Sequence, residues 1–213
     1  LKAFRDRFDI PITDSKIAEL PYCKPSENSE EMQYLKSKRK ALGGSLPARR
    51  NSAKKVKAPK LEIFSAQLKG SGEREISTTM ALVRMLTALV RDKNMGSHIV
   101  PIVPDEARTF GMEGMFRQIG IYSSVGQLYT PQDADQLMYY KEDQNGQILQ
   151  EGINEAGAYC SWLAAGTAYT NHDVQMIPFY IFYSMFGFQR IGDFAWAGGD
   201  LQARGFVIGG TAG

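Results

Sequence analysis

The fold of this chain turns on the stretch Ile148-Leu149-Gln150-Glu151-Gly152-Ile153-Asn154-Glu155-Ala156-Gly157-Ala158-Tyr159-Cys160-Ser161-Trp162. A short apolar run ends at Gln150, Gly152 breaks it, and the small residues from Ala156 to Ala168 begin a helix. Glu155 therefore stands on a strand-to-helix corner. A carboxylate there is exposed at the edge of a sheet, and apolar neighbours disfavour its charge, so such corners often carry chemistry.

Working outward, strands and helices alternate. Leu82, Val83, Leu86, Leu89 and Val90 recur at helical spacing within 77–92, with Ser77 or Thr78 available as the cap. His98 to Pro104 reads as a strand despite its prolines, followed at once by Asp105 and Glu106. An irregular glycine-bearing segment to Gly126 comes next, then a helix near 132–140, the corner at Glu155 and a helix to about Thr170. A strand over 176–183, a helix over 189–204 beginning after Gly187, and a strand over 206–208 complete the series. This alternation predicts an α/β fold, an open and mainly parallel sheet with helices on both faces. In such sheets ligands bind beyond the carboxyl ends of the strands. Asp105 and Glu106, Glu155, and the loop from Tyr183 to Arg190 all fall just past predicted strand ends.

Ahead of this domain, residues 1–43 read as helical pieces broken by Pro11, Pro21 and Pro25, the end of a preceding domain. Residues 44–60 have the composition of a basic linker, and 61–213 form the domain proper. The net charge of +2 on 213 residues hides an uneven distribution. Between Met32 and Leu61 there is no acidic residue, whereas Lys36, Lys38, Arg39, Lys40, Arg49, Arg50, Lys54, Lys55, Lys57 and Lys60 all lie there. That run lacks interleaved aromatics and a recognition fold, so it reads as a solvated linker, not a grip on nucleic acid. The longest apolar run, Met176 to Phe188, is too short to span a membrane and carries Pro178, Ser184 and Gly187. Cys23 and Cys160, far apart, suit free thiols in a reducing compartment, which points to the cytoplasm; Cys160 reads as a buried helix residue. The amino terminus, charged at short intervals, does not read as a secretory leader. An end on Gly209 to Gly213, straight after an apolar strand, is expected of a piece of something longer.

Several runs carry a specific resemblance. Asp105-Glu-Ala-Arg-Thr-Phe-Gly-Met-Glu-Gly-Met-Phe-Arg-Gln-Ile-Gly-Ile-Tyr122, Tyr129-Thr-Pro-Gln-Asp133, Tyr140-Lys-Glu-Asp143, Gly146 to Glu155 and Phe182-Tyr-Ser-Met-Phe-Gly-Phe-Gln-Arg-Ile-Gly-Asp193 closely resemble the homodimeric bacterial pyruvate dehydrogenases. These are the thiamine-diphosphate-dependent first component of the pyruvate dehydrogenase complex. The resemblance covers essentially the whole chain, most densely from Glu75 onward, and implies that 61–213 is a pyrimidine-binding domain.

It also implies roles. Glu155 matches the glutamate that hydrogen-bonds the pyrimidine ring nitrogen and favours the imino tautomer used in proton removal. Ile153 matches the apolar residue beneath the cofactor, Phe186 a ring stacked on the pyrimidine, and Tyr183 and Arg190 neighbours of the active centre. Asp105 matches support for the cofactor pocket, and Glu106 a group that handles a proton or orients substrate. The resemblance further implies Mg2+ held outside this chain, pyruvate as substrate, a second subunit completing the site at a dimer interface, and the lipoyl acyltransferase core as partner.

The residues themselves agree in part. A glutamate that donates to a ring nitrogen needs an apolar pocket, which Ile153, Ala156, Ala158 and Phe186 could line. Six of the ten residues 179–188 are aromatic; most read as core, with Tyr183 and Phe186 reserved for the site. Spacing alone does not separate thiamine from another flat cofactor. Nor does it displace the plain reading of Glu155 as a solvated helix-start carboxylate or of Asp105-Glu106 as acids at a strand end; the surrounding runs do that. One departure limits the reading. The Gly-Asp-Gly motif that anchors the diphosphate and its metal is absent, and Gly192-Asp193-Phe194 and Gly199-Asp200-Leu201 are poor substitutes. His98 and His172, the two histidines, match no catalytic position. The chain is thus expected to hold half a site and to be inactive alone. Two other readings stay open: a noncatalytic α/β module docking through its basic arm, and another thiamine-diphosphate enzyme such as a transketolase.

Overall fold

The computed structural model describes all residues except 46–48, 106, 133, 135–138 and 211–213. The chain divides into two compact units, Leu1–Arg49 and Arg50–Gly213, a boundary inside the basic segment.

The first unit holds helix α1 (Lys2–Arg7), a 3-10 turn at Ile17–Glu19 and helix α2 (Glu30–Ala41). Pro11, Pro21 and Pro25 lie between these elements, as a ring that forbids helix interiors requires. Ser29 caps α2 by accepting the Met32 N–H, with Glu30 and Glu31 in the first turn and Lys38, Arg39 and Lys40 in the last, each sign complementing the helix dipole.

In the second unit, a 3-10 turn (Leu61–Phe64) leads into the short helix α3 (Ser65–Leu68) and then α4 (Thr78–Val90). Ser77 caps α4 through the Met80 N–H, and Val83 and Leu86 form its buried face. The elements that follow are β1 (Ile99–Val103), α5 (Glu113–Ile119), β2 (Ile121–Tyr122), β3 (Glu142–Asp143), β4 (Leu149–Gln150), α6 (Glu155–Asn171), β5 (Ile177–Tyr183), α7 (Ser184–Asp200) and β6 (Phe206–Gly210). The main sheet has the order β4-β1-β5-β6 with every pairing parallel, and β2 and β3 form a small parallel pair beside it.

Alternation along the two inner strands builds two cores. Ile99 and Val103 of β1, with Phe179 and Ile181 of β5, face Val83 and Leu86 of α4 and Met115 and Phe116 of α5. Ile102, Tyr180 and Phe182 face Ala158, Tyr159 and Trp162 of α6 and Ile191 of α7. Each fully buried aliphatic or aromatic side chain contributes about 1.5–3 kcal/mol relative to its exposed state. Both faces are thus covered, which parallel sheets require.

Two expectations need correction. The segment before Gly126 is not irregular throughout, because α5 forms there, burying Met115 and Phe116 and stopping at Gly120, whose φ of +64° suits a residue without a Cβ. α7 begins directly off β5, five residues before the expected Gln189, and ends at Asp200. Gly187 is no breaker: a Cβ there would stand 1.8 Å from Phe182 Cε2, so the position is small because α7 packs against that ring. The helix expected near 132–140 falls largely on residues outside those described.

The strand order positions the site. From β1 the chain moves through α5 to β4 on one side, then returns through α6 to β5 on the other side of β1. The crevice at such a reversal opens beyond the carboxyl ends of β1 and β5, where doubly wound sheets bind ligands.

Candidate functional site

At the reversal, the loop after β1 and the end of β5 touch. The Tyr183 hydroxyl donates to Thr109 Oγ1 at 2.8 Å, and its ring lies 4.9 Å from that of Phe110. One turn into α7, the Phe186 ring meets Tyr183 edge-on at 6.4 Å. A further turn on, the Arg190 guanidinium lies 4.7 Å over the Phe186 ring and pairs with the Glu155 carboxylate.

Glu155 reaches this cluster because Asn154 starts α6 beside it, its side chain accepting the Gly157 N–H at 2.9 Å. Gly152, with φ +79°, makes the corner. The Tyr180 hydroxyl donates to the Glu155 carbonyl at 3.5 Å and ties the helix start to β5. The Glu155 side chain is only 11% exposed, whereas Arg190 is 47% exposed and Phe186 39%. The enclosure is therefore not purely apolar, as the sequence reading required of it; a cation closes one side.

The other expected residues are placed differently. Asp105 accepts from Gln150 Nε2 at 3.3 Å, joining the ends of β1 and β4. It lines a cleft of about 460 Å³ with Arg108, Thr109, Tyr129, Tyr140 and Gln150. Ile153 is 76% exposed on the loop before α6. Glu106 lies outside the described residues. The structure thus gathers Glu155, Arg190, Phe186 and Tyr183, and sets Asp105 in the adjoining cleft. Of the six aromatics in 179–188, Phe179, Tyr180 and Phe182 are core, while Phe188 is 61% exposed.

Residues without an assigned role in the sequence reading also line this edge. Tyr129 and Tyr140 both donate to Glu142 Oε1 at 2.9 Å. Burial, then the bond to Glu142, raises the Tyr140 phenol well above its ordinary range. Thr109 is the other addition. All four sit inside or beside the runs quoted for the resemblance, which was the only signal pointing to them. Among the described residues no three of His, Cys, Asp and Glu converge as metal ligands, and no helix is long and apolar enough to cross a membrane. Cys160 is exposed, not buried as expected, because it lies on the solvent side of α6, opposite Tyr159 and Trp162; Cys23 is also a free, exposed thiol. His98 is structural, its Nδ1 bonded to the Gln175 carbonyl at 2.6 Å, and His172 is exposed.

A nearly buried carboxylate linked through Arg190 to a half-open aromatic ring, with a fixed phenol alongside, suits a flat heterocycle with a ring nitrogen that the carboxyl can bond and the ring can stack on. Nothing comparable among the described residues suits a diphosphate with its metal.

The model of the pyruvate dehydrogenase E1 component middle domain family matches residues 56–213. Similar relatives include the pyruvate dehydrogenase E1 components of Pseudomonas aeruginosa, 66% identical over 213 residues, Cupriavidus necator, 59% over 214, and Escherichia coli strain K12, 58% over 214. Each alignment covers 100% of this chain and 24% of the relative, so the chain spans about a quarter of the length of the curated proteins it matches. The chain belongs to the pyruvate dehydrogenase E1 middle-domain family.

Proposed function

We propose that this family member supplies the pyrimidine-facing half of a thiamine-diphosphate site in a pyruvate dehydrogenase that decarboxylates pyruvate and passes the acetyl group to a lipoyl acyltransferase. The observation that carries the reading is the position of Glu155: 11% exposed, at the start of α6, and paired with Arg190, whose guanidinium lies over the Phe186 ring.

Thiamine diphosphate supplies, when bound, the carbon nucleophile and electron sink that pyruvate decarboxylation needs. Glu155 would hold the pyrimidine ring nitrogen through a carboxyl hydrogen bond, which its shielding from water would strengthen. Phe186 would offer a ring face to the pyrimidine, and Ile153, exposed on the loop before α6, would supply apolar support to the cofactor. Arg190, paired with Glu155 and lying over Phe186, would hold the Glu155 carboxyl in place. Tyr183 faces the reacting atoms, Asp105 stiffens the pocket through Gln150, and Glu106 handles a proton or orients substrate. Mg2+ and the diphosphate are held by residues outside this chain. The complete protein works as a cytoplasmic homodimer, with 61–213 as its pyrimidine-binding domain, 44–60 a linker and 1–43 the end of a preceding domain.

The test is Glu155→Ala in the full-length protein. Turnover should fall by at least about a hundredfold, the range of positioned acid–base groups, with the unfolding midpoint little changed. Turnover equal to wild type would sink the assignment. A noncatalytic module docking through the basic segment would instead show salt-sensitive binding that survives this substitution.

A further inference from the structure

We propose that Thr109 is the positioning residue for Tyr183, setting which way the phenol proton points; this rests on the reading that Tyr183 faces the reacting atoms. The Tyr183 ring is held between Phe110, at 4.9 Å, and Phe186, edge-on at 6.4 Å. With the ring fixed, the remaining freedom of the hydroxyl is rotation about its C–O bond. The 2.8 Å bond to Thr109 Oγ1 sets that rotation.

A threonine hydroxyl both donates and accepts. In the arrangement present, Tyr183 donates to Thr109, which leaves the lone pairs of the phenol oxygen in the role of acceptor. Rotation of both hydroxyls reverses the bond. Thr109 then donates to Tyr183, and the phenol O–H is released to donate to a bound group. No covalent bond forms or breaks, and no proton leaves either oxygen. One residue on the β1 loop thus lets one residue at the end of β5 act as acceptor or donor without moving its ring. Valine has the same shape without the hydroxyl, and serine keeps the hydroxyl without the methyl.

The experiment compares Thr109→Val, Thr109→Ser, Tyr183→Phe and the double variant Thr109→Val/Tyr183→Phe in the full-length enzyme. Thr109→Val should lower kcat about five- to tenfold, the worth of one neutral hydrogen bond, with KM little changed, and Thr109→Ser should restore most of it. The double variant should be no slower than Tyr183→Phe alone, because both remove the same interaction. In cofactor-free protein carrying tyrosine labelled at the ζ carbon, the Tyr183 resonance should shift in Thr109→Val and hold in Thr109→Ser. Multiplicative losses in the double variant, an unmoved resonance, or wild-type kcat in either Thr109→Val or Tyr183→Phe would overturn the proposal. None of these outcomes touches the broader functional reading, which stands or falls on Glu155→Ala.

Discussion

The Arg190 guanidinium, itself half exposed, is paired with a Glu155 carboxylate that is almost wholly shielded from water. The pair joins the start of α6 to the second turn of α7 on the same face of the sheet. Removing the cation leaves a shielded charge without a counterion, which costs more than losing a surface salt bridge. Arg190→Gln should destabilise the fold by about 1–3 kcal/mol, and adding Glu155→Gln should recover part of the loss. Denaturant unfolding of the two single variants and the double variant checks this; strictly additive losses would contradict the pairing.

Two glycines of α7 should respond in opposite directions. Gly187→Ala forces a methyl into the Phe182 ring, which is 1% exposed and cannot retreat, so a loss of about 3 kcal/mol is expected. At Gly192 an added Cβ meets nothing within 4 Å, and alanine should stabilise the helix by up to about 1 kcal/mol. Chemical unfolding of the two variants against the parent chain decides it.

Acid should release residues 50–52 from the end of α6. Asp173 is held below the ordinary carboxylate range by its bond from Ser52 and, secondarily, by Arg50. Since the folded value is the lower one, the contribution is complete above about pH 4 and fades as pH falls through the folded value. The Arg50 amide, bonded to the Thr170 carbonyl at 3.3 Å, should then exchange faster with solvent. Asp173→Asn should show fast exchange at every pH; equal protection in that variant would refute the clasp.

Tyr140 should resist ionisation. Burial, then the bond to Glu142, raises its phenol, so the neutral form is favoured in the folded chain, and this contribution to stability fades only as pH rises past about 10. A phenolate absorbance titration should show one tyrosine ionising late, and Glu142→Gln should bring it closer to the rest. No change in that variant would remove Glu142 as a cause.

Much of the fold was legible locally. The apolar period of α4, the apolar runs of β1, β5 and β6, and the glycine corner before α6 each carry their signal within a dozen residues. α5 was missed because it is only seven residues long and its sequence is rich in glycine nearby. The start of α7 was misread because a glycine that ends a helix and one that admits a neighbouring ring look the same in sequence; Phe182 decides between them. Cys160 was misplaced because the faces of α6 differ little in polarity among so many small residues.

In the site, residue types and carboxyl-end positions were visible beforehand, but their partners were not. Glu155 and Arg190 are 35 positions apart, and Tyr183 and Thr109 are 74 apart. Sequence by itself determined the longer strands and helices, apart from α5 and the start of α7, and that a carboxylate stands on a corner, because propensity, capping and periodicity act within a few residues. Tertiary structure alone decided that β5 lies on the far side of β1 from β4, and hence that Tyr183 meets Thr109 and Arg190 meets Glu155. Strand order is set by how two apolar faces are buried at once, a condition on the whole sheet that no single segment contains.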